Sequence, residues 1–234
     1  ERDLRFLFAV LNWATTAGDG HGGVFLGRNP LRGFRTPKEK NPKRVTLTCD
    51  EYVALLRIAA EVDWRFRVML ILAHETGHRI GAIRQLRWSD IDMDDCHIRW
   101  RAATEKNGYE HVTPITQDAR DALLEALRRT DGVGESWVLP APKAAEGPVS
   151  RSRARTWWKK AEKLAGLEPR PWRGWHSLRR KFASDLMEKP LKVLCNLGGW
   201  KSPETVLQCY QHPDQARLRS ALESRGRGAD SAPN

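Results

Sequence analysis

The sequence has no run of eighteen apolar residues, so no part of it is long and hydrophobic enough to cross a bilayer. It has only four cysteines, which are scattered without C-x-x-C spacing and without histidines at metal-ligand distance. That distribution argues against a zinc site and a disulfide framework, and it predicts a cytosolic protein without bound metal. Glycine-rich phosphate-loop motifs are also missing. The chain starts without Met or a signal-peptide pattern, as expected of a segment from inside a longer protein.

Acidic residues are fewer than basic ones. Forty Lys and Arg stand against twenty-nine Asp and Glu, which gives a formal net charge of +11. A positive field of that size favours a polyanionic partner, with nucleic acid first and an anionic membrane second. Residues 28–44 are consistent with a basic linker along a nucleic acid backbone and equally with a solvated loop. Residues 151–181 carry eleven Lys/Arg against two Glu.

The order of the helix and strand signals predicts a mainly α-helical fold with one small antiparallel β-sheet. TCDE at 48–51 is a capping box that opens a helix through Val62, and Asp63 can cap the next helix, which Gly77 ends. A turn is expected at 88–92, and strands at 97–104 and 109–116 would form a hairpin around EKNG. The other helices are expected at 3–16, 79–86, 117–129, 151–165, 177–187, 190–198, 203–211 and 214–224.

Residues that can hold or attack a phosphate gather in three places. Arg79 starts a helix, where free N–H groups favour an anion and a guanidinium can grip two phosphate oxygens, although an ion pair with Glu75 is the alternative. His176 and Arg179 project from one helix face, a pair that by itself is typical of a solvated surface. Tyr210 is one of only three tyrosines, and it is either a half-buried ring or a nucleophile.

In their order and spacing, these blocks resemble the catalytic domain of the tyrosine recombinase (phage integrase) family over roughly residues 46–215. The family's first block, TG-x-R followed by LRW-x-DID, is matched by TGHR at 76–79 and LRWSDID at 86–92. The second block, H-x-L-R-H/R, is matched by HSLRR at 176–180. The third block, LG-H/W with a tyrosine nine or ten residues later, is matched by LGGW at 197–200 and Tyr210. The family's hairpin lysine falls on Lys106.

The resemblance implies a site-specific DNA recombinase that cleaves and rejoins strands through a 3′-phosphotyrosine, without metal, nucleotide or other cofactor. Six side chains would carry this reaction: Arg79, Lys106, His176, Arg179, Trp200 and Tyr210. The two arginines would neutralise the non-bridging oxygens of the pentacoordinate phosphorus, and the lysine would protonate the leaving 5′-oxygen. The histidine would accept a proton from the tyrosine hydroxyl or orient it, the indole would offer an N–H donor, and the tyrosine would be the nucleophile.

The resemblance also implies how the chain is organised and what it binds. Residues 1–44 would be the end of a core-binding domain plus the linker, 45–215 the catalytic domain, and 216–234 a helix end with a disordered tail. The implied partner is double-stranded DNA at a specific site, bound by a homotetramer that is monomeric when isolated, with accessory DNA-bending proteins as candidate additions and no membrane. The implied location is the bacterial cytoplasm, as a bacterial or phage protein associated with the nucleoid.

One departure from the family concerns the support of the first arginine. Relatives commonly carry Ser-Glu two and three residues after it, whereas this chain has Gly81 and Ala82. The acid that supports Arg79 is therefore missing or comes from elsewhere, with Glu75 and Asp90 as candidates.

Two other functions stay open. A type IB topoisomerase shares the fold and the Arg-Lys-Arg-Tyr chemistry, and a DNA-binding relic would no longer cleave. The H-x-x-R block and the LG-W spacing favour the recombinase over the topoisomerase, and the intact set of six residues argues against the relic.

Overall fold

The computed structural model describes residues 2–34, 45–105, 108–130, 132–142, 146–210 and 215–227. Two compact units are distinguished by their internal contacts, residues 1–42 and 43–234. The first unit contains helix α1 (Arg2–Ala14) and the turns that follow it, where the rings of Trp13 and Phe25 stack with centroids 5.6 Å apart. The described candidate residues all belong to the second unit.

The second unit is mostly helical, and its core is formed where the helices meet. Its helices are α2 (Cys49–Val62), α3 (Trp64–Thr76), α4 (Ile80–Ile83), α5 (Gln117–Thr130), α6 (Arg151–Leu164), α7 (Trp175–Asp185), α8 (Leu191–Gly198), α9 (Pro203–Cys209) and α10 (Gln215–Arg227). Each helix expected from the sequence is present, with its ends within three residues of the prediction. None of the described helices combines the length and the apolar character that a membrane span requires.

The central helix α3 is positioned by caps that the sequence predicted. Thr48 and Glu51 form a reciprocal capping box at the start of α2, with N–H to oxygen distances of 3.1 and 3.0 Å. Asp63 ends α2 and caps α3 by accepting the backbone N–H of Arg65 at 2.9 Å. Helix α3 is buried on nearly all sides and packs against α2, α5 and α7. Its C-terminal end therefore lies at a fixed point inside the unit.

The small sheet has three antiparallel strands in the order β1 (Ile91–Asp92), β2 (His97–Trp100) and β3 (His111–Pro114). The expected hairpin is β2–β3, but both strands are shorter than predicted. After Trp100 the chain turns on itself, because the N–H groups of Thr104 and Glu105 donate to the carbonyl of Arg101 at 3.0 and 3.3 Å. The turn expected at 88–92 is present as a 3₁₀ turn (Trp88–Asp90), and it is followed by the short strand β1, which the sequence did not predict.

Two short helices end earlier than predicted, and both lie next to the candidate site. Helix α4 stops at Ile83 because the N–H groups of Gln85 and Leu86 donate to carbonyls three residues back. Helix α9 stops at Cys209, and Tyr210 follows it with a φ of −126° that is not helical. Tyr210 therefore lies just past the end of one helix, while Arg79 lies at the start of the other.

Candidate active site

The position of Arg79 is set by the glycine two residues before it. Gly77 ends α3 in the left-handed region with φ 65°, and a Cβ atom there would overlap the ring of Phe182. A side chain is therefore excluded at this position by both conformation and space. The reversal of the chain makes Arg79 the N-terminal cap residue of α4, with its side chain 22% exposed.

Arg179 lies in the interior of the unit, on α7. Its side chain is among the most buried in the protein, and the residue is 1% exposed. Nη1 donates to the carbonyl oxygens of Gly77 and Gly198 at 2.8 and 2.6 Å. The guanidinium thus joins the end of α3 to the end of α8, and it also lies 3.8 Å above the ring of Trp200. This arginine is a structural tie as well as a candidate catalytic group.

The remaining donors of Arg179 are its Nε and Nη2 atoms. Nε and Nη2 are buried and make no hydrogen bond of standard geometry among the described residues. Burial, and after it the charge of Arg79, lower the pKa of Arg179 to about 10, although the side chain of Tyr210 acts in the opposite direction. The group remains protonated at neutral pH, and an anion between the two arginines would relieve their repulsion.

Tyr210 and His176 meet as the sequence predicted. The tyrosine hydroxyl lies 3.0 Å from His176 Nε2, and it can donate to that nitrogen when the nitrogen carries no proton. The ring of Tyr210 is 7% exposed and makes an edge contact with Trp200, with centroids 5.3 Å apart. His176 is exposed in the first turn of α7, one helical turn before Arg179. The candidate nucleophile, base and arginine therefore lie together.

Trp200 is at the site, and the contacts that its ring makes there are packing contacts. Its ring is buried between Arg179, Tyr210 and Phe182, and it overlaps the position that a Cβ atom of Gly198 would take. Its Nε1 atom is buried and has no hydrogen-bond partner among the described residues. In this arrangement the indole supports the arginine and the tyrosine by packing, and its N–H is turned away from solvent.

The acid beside Arg79 is Glu105, which the sequence did not single out. Arg79 Nη1 donates to Glu105 Oε2 at 3.1 Å. Neither of the two carboxylates considered from the sequence has this role. Glu75 accepts hydrogen bonds from His74 and Thr116, both at 2.7 Å. The position of Glu105 directly before the hairpin lysine was the signal that could have identified it.

The carboxylate of Asp90 is used to shape the chain after α4. It accepts the backbone N–H of Arg87 at 2.9 Å and pairs with the guanidinium of Arg101 at 3.0 Å.

Lys106, the candidate general acid, lies outside the described residues, between Glu105 and Gly108. Five of the six candidate side chains are thus located by the structure, and these five are brought together.

Two histidines form a second feature that the sequence did not suggest. His78 Nε2 lies 2.7 Å from His111 Nε2, and His78 Nδ1 donates to the carbonyl of Thr76 at 3.0 Å. The rings of Trp100, His78, His111 and Tyr109 stack in succession, with centroids 3.6, 5.0 and 5.3 Å apart. Gly199 closes the stack, because a Cβ atom there would overlap His111. The stack connects the hairpin to the loop that carries Trp200.

Because of these two histidines, we expect the folded protein to be less stable in acid. Burial, and then the charge of Arg179, lower the pKa of His78 well below its ordinary value, and burial also lowers the pKa of His111. The unfolded chain therefore binds more protons below about pH 6.5, so the free energy of unfolding falls as the pH drops, by at most about 1.4 kcal/mol per pH unit for each histidine. In urea titrations from pH 7.5 to 5.0, His78→Gln should give a shallower fall, whereas the control His97→Gln should not. Equal slopes in all three proteins would contradict this.

Arg79 and Arg179 line a basic cavity of about 1250 Å³, to which α4, α6 and α7 contribute. Besides Arg79 and Arg179, its basic lining residues are Arg84, Arg151, Arg155, Lys159, Arg170 and Arg173. Only two acidic side chains line it, Glu105 and Glu162. Arg173 is already paired with Glu51 and Glu162 at 2.9 and 2.7 Å, so it stabilises the wall of the cavity. The other cations give the cavity a strongly positive field that suits a polyanion.

Among the described residues, one group has ligand atoms at metal-binding spacing. Asp92, Asp95 and His97 bring one such atom each within 4.8 Å of one another. Asp92 Oδ1 already accepts the backbone N–H groups of Asp94 and Asp95 at 3.0 and 2.8 Å, so a local turn accounts for the cluster. The group includes none of the candidate residues.

Comparison with known proteins gives a consistent result. A model of the phage integrase family matches residues 45–217. The tyrosine recombinase XerC of Xanthomonas campestris pv. campestris (strain B100) is 27% identical over 210 residues, which are 87% of this chain and 62% of XerC. The integrase of Escherichia phage HK022 is 30% identical over 152 residues, which are 64% of this chain and 40% of the integrase. The chain thus spans about 62% of the length of the XerC protein that it matches.

The fold has solved counterparts. The XerH site-specific recombinase, determined in a post-cleavage complex with a palindromic difH substrate, superposes with a TM-score of 0.71 at 19% identity. The superposition covers 93% of this chain and 64% of the XerH chain. The expected fold, a mainly helical recombinase catalytic domain with a small antiparallel sheet, is confirmed.

Proposed function

Since this chain belongs to the phage integrase family, we propose that it is a site-specific tyrosine recombinase that cleaves and rejoins DNA strands through Tyr210. The observation that carries the proposal is the hydroxyl of Tyr210 at 3.0 Å from His176 Nε2, in a site built around Arg179. A buried phenol beside a base and an arginine is equipped to attack a phosphodiester. The two arginines and the basic cavity supply the charge that a DNA phosphate requires.

The first chemical step is attack of the tyrosine oxygen on the scissile phosphorus. An unperturbed phenol has a pKa of about 10, so at neutral pH the attack must coincide with loss of the hydroxyl proton. His176 is in hydrogen-bond reach of that proton and is the base in this proposal. The new bond joins Tyr210 to a 3′-phosphate, and the bond to the 5′-oxygen breaks. The reverse attack by a 5′-hydroxyl of another strand restores the DNA and releases the tyrosine.

Arg79 and Arg179 stabilise the negative charge that grows on the non-bridging oxygens. Arg79 lines the cavity at the start of α4, and Arg179 lines it from α7, with Nε and Nη2 making no hydrogen bond of standard geometry among the described residues. Those donors are covered in the DNA-free protein, so Tyr210 must move with the end of α9 before a phosphate can contact them. The helix boundary at Cys209 supplies the point of movement.

The leaving 5′-oxygen needs a proton, and we assign this step to Lys106 on the basis of the family and of its place in the hairpin. Lys106→Ala should lower cleavage of ordinary DNA by about 10²- to 10⁴-fold. A substrate with sulfur at the 5′-bridging position should be cleaved by this variant at close to the wild-type rate, because a thiolate leaves without a proton. The control is Lys159→Ala, which removes a charge from the cavity and should affect both substrates equally. An equal loss on both substrates in Lys106→Ala would remove the lysine from this role.

The partners and the organisation of the chain follow from the same proposal. Double-stranded DNA lies along the basic cavity, and the protein acts as a homotetramer on its recombination site, assisted by DNA-bending proteins. Residues 1–44 are the end of a core-binding domain with its linker, 45–215 the catalytic domain, and 216–234 the end of the last helix with the tail that follows it. The protein works in the bacterial cytoplasm, on DNA of the nucleoid.

The test of the function is covalent trapping. The full-length gene product is incubated in EDTA, without nucleotide, with nicked duplexes taken from the DNA that flanks its gene. Loss of the short 5′-hydroxyl fragment should leave a protein–DNA adduct on a denaturing gel, with the phosphate on Tyr210 in the mass spectrum of its tryptic peptide. Relaxation of plasmids that lack any such site would instead indicate a topoisomerase, and binding without an adduct would indicate a relic.

A further inference from the structure

We infer that Glu105, in the turn after strand β2, is the positioning residue of Arg79. The inference rests on the proposed function and names a further residue of the same site. It starts from the sequence of α4, in which the second and third residues after Arg79 are Gly81 and Ala82, so neither can supply a carboxylate. In this protein the acid comes from the hairpin, 26 residues after Arg79.

The carboxylate of Glu105 is buried in contact with Arg79. Its side chain is 3% exposed and lies 3.1 Å from Arg79 Nη1, while Oε1 is buried without a hydrogen-bond partner among the described residues. A carboxylate buried in this way is stabilised by a cation beside it. It lines the same cavity as Arg179, and its charge opposes the lowering of the pKa of Arg179 that burial causes. Glu105 is therefore a counter-ion for the arginine pair.

The backbone around Glu105 makes the carboxylate part of a fixed turn. Its N–H donates to the carbonyls of Arg101 and Ala102, and its carbonyl accepts the N–H of Gly108 at 3.1 Å. Arg101 anchors the base of the turn by donating to the carbonyl of Gln85 at 2.7 Å. The carboxylate that contacts Arg79 is thus held in place by backbone hydrogen bonds on both sides of it.

The contact leaves Arg79 able to bind a phosphate. A guanidinium has five N–H donors, and the ion pair joins a single nitrogen to a single carboxylate oxygen. The other donors stay available on the 22% of the side chain that is exposed to the cavity. This geometry indicates that the Glu105 carboxylate orients the arginine and does not occupy the position where the arginine would bind a phosphate.

The experiment compares Glu105→Gln with Glu110→Gln in the full-length protein. Both substitutions remove one negative charge from the hairpin, but Glu110 is exposed and has no ion pair among the described residues. The single-turnover rate of covalent adduct formation should fall about 10- to 100-fold in Glu105→Gln and stay near wild type in Glu110→Gln, with similar DNA affinity in the two variants. In an Arg79→Ala background, Glu105→Gln should add little further loss, because it acts through the absent arginine.

A second measurement does not depend on cleavage. The side-chain ¹⁵N signal of Arg79 in the DNA-free protein should show a lower order parameter in Glu105→Gln than in wild type or Glu110→Gln. If wild type forms no adduct, the proposed function fails, and this signal alone decides the role of Glu105. Faster cleavage or tighter DNA binding in Glu105→Gln than in Glu110→Gln would mean that the carboxylate competes with the phosphate, which overturns the inference. An unchanged rate and an unchanged Arg79 signal would also overturn it.

Discussion

Tyr210→Phe is expected to eliminate the covalent protein–DNA adduct, with a loss of at least about 10⁴-fold in the cleavage rate. The reason is that the substitution removes only the attacking oxygen. The ring keeps its edge contact with Trp200 and its place in a cluster of buried residues that includes Leu194 and Val206. The hydrogen bond to His176 is lost, but the histidine is exposed and can bind water instead. Folding and DNA affinity should therefore remain close to wild type.

The measurement is the suicide-substrate assay on a denaturing gel, with binding followed separately by gel shift. The matched control is Tyr109→Phe, which removes a hydroxyl from the hairpin without touching the candidate base. We expect full adduct formation in the control. An adduct of normal yield in Tyr210→Phe would show that another group is the nucleophile, and the function proposed here would lose its main residue.

Arg179→Lys is expected to damage both cleavage and folding. Lysine keeps the positive charge but lacks the planar fork, so it cannot donate to the carbonyls of Gly77 and Gly198 and also offer two donors to a phosphate. An unsatisfied buried carbonyl costs about 1–3 kcal/mol, and we expect a loss of that size in the free energy of unfolding. Cleavage should fall by about 10²- to 10³-fold, as for removal of a donor that stabilises transition-state charge.

The neighbouring arginine separates these two effects. Arg180 is also buried, and its guanidinium donates to the carbonyls of Val45 and Trp172 at 2.8 and 2.7 Å. Arg180→Lys should therefore lose a similar amount of stability in chemical denaturation, while its cleavage rate, measured well below the melting temperature, should remain within a few-fold of wild type. Equal loss of cleavage in the two variants would mean that Arg179 acts through the fold alone.

The motif spacing was sufficient to predict which side chains meet, because the contacts depend on helix geometry. His176 and Arg179 lie one turn apart on α7, and α9 follows Trp200 closely enough to return Tyr210 to that face. The contact between Tyr210 and His176 was therefore predictable. The state of Trp200 was not, since the burial of its Nε1 depends on how Arg179 and Phe182 pack around the ring.

The acid beside Arg79 could not be found from sequence distance. Glu75 is only four residues away, but its carboxylate is taken by His74 and Thr116. Glu105 is much further along the chain and reaches the site only because the strand after Trp100 turns at Arg101. That early turn is a property of the hydrogen bonds around Arg101, and the sequence pattern had predicted a longer strand instead. The same limit applies to His78 and His111, which the sheet brings together from positions 33 residues apart.

The double attachment of Arg179 has a consequence for how such a protein can change over generations. Because one guanidinium holds the ends of two helices, selection for a folded chain alone is enough to retain it. The hydroxyl of Tyr210 has no comparable structural duty, since its hydrogen bond goes to an exposed histidine. A descendant that gives up strand cleavage but still binds DNA would thus keep the arginine and lose the hydroxyl first. In homologous genomes, the residue aligned with Tyr210 is the informative one for telling an active enzyme from an inherited scaffold.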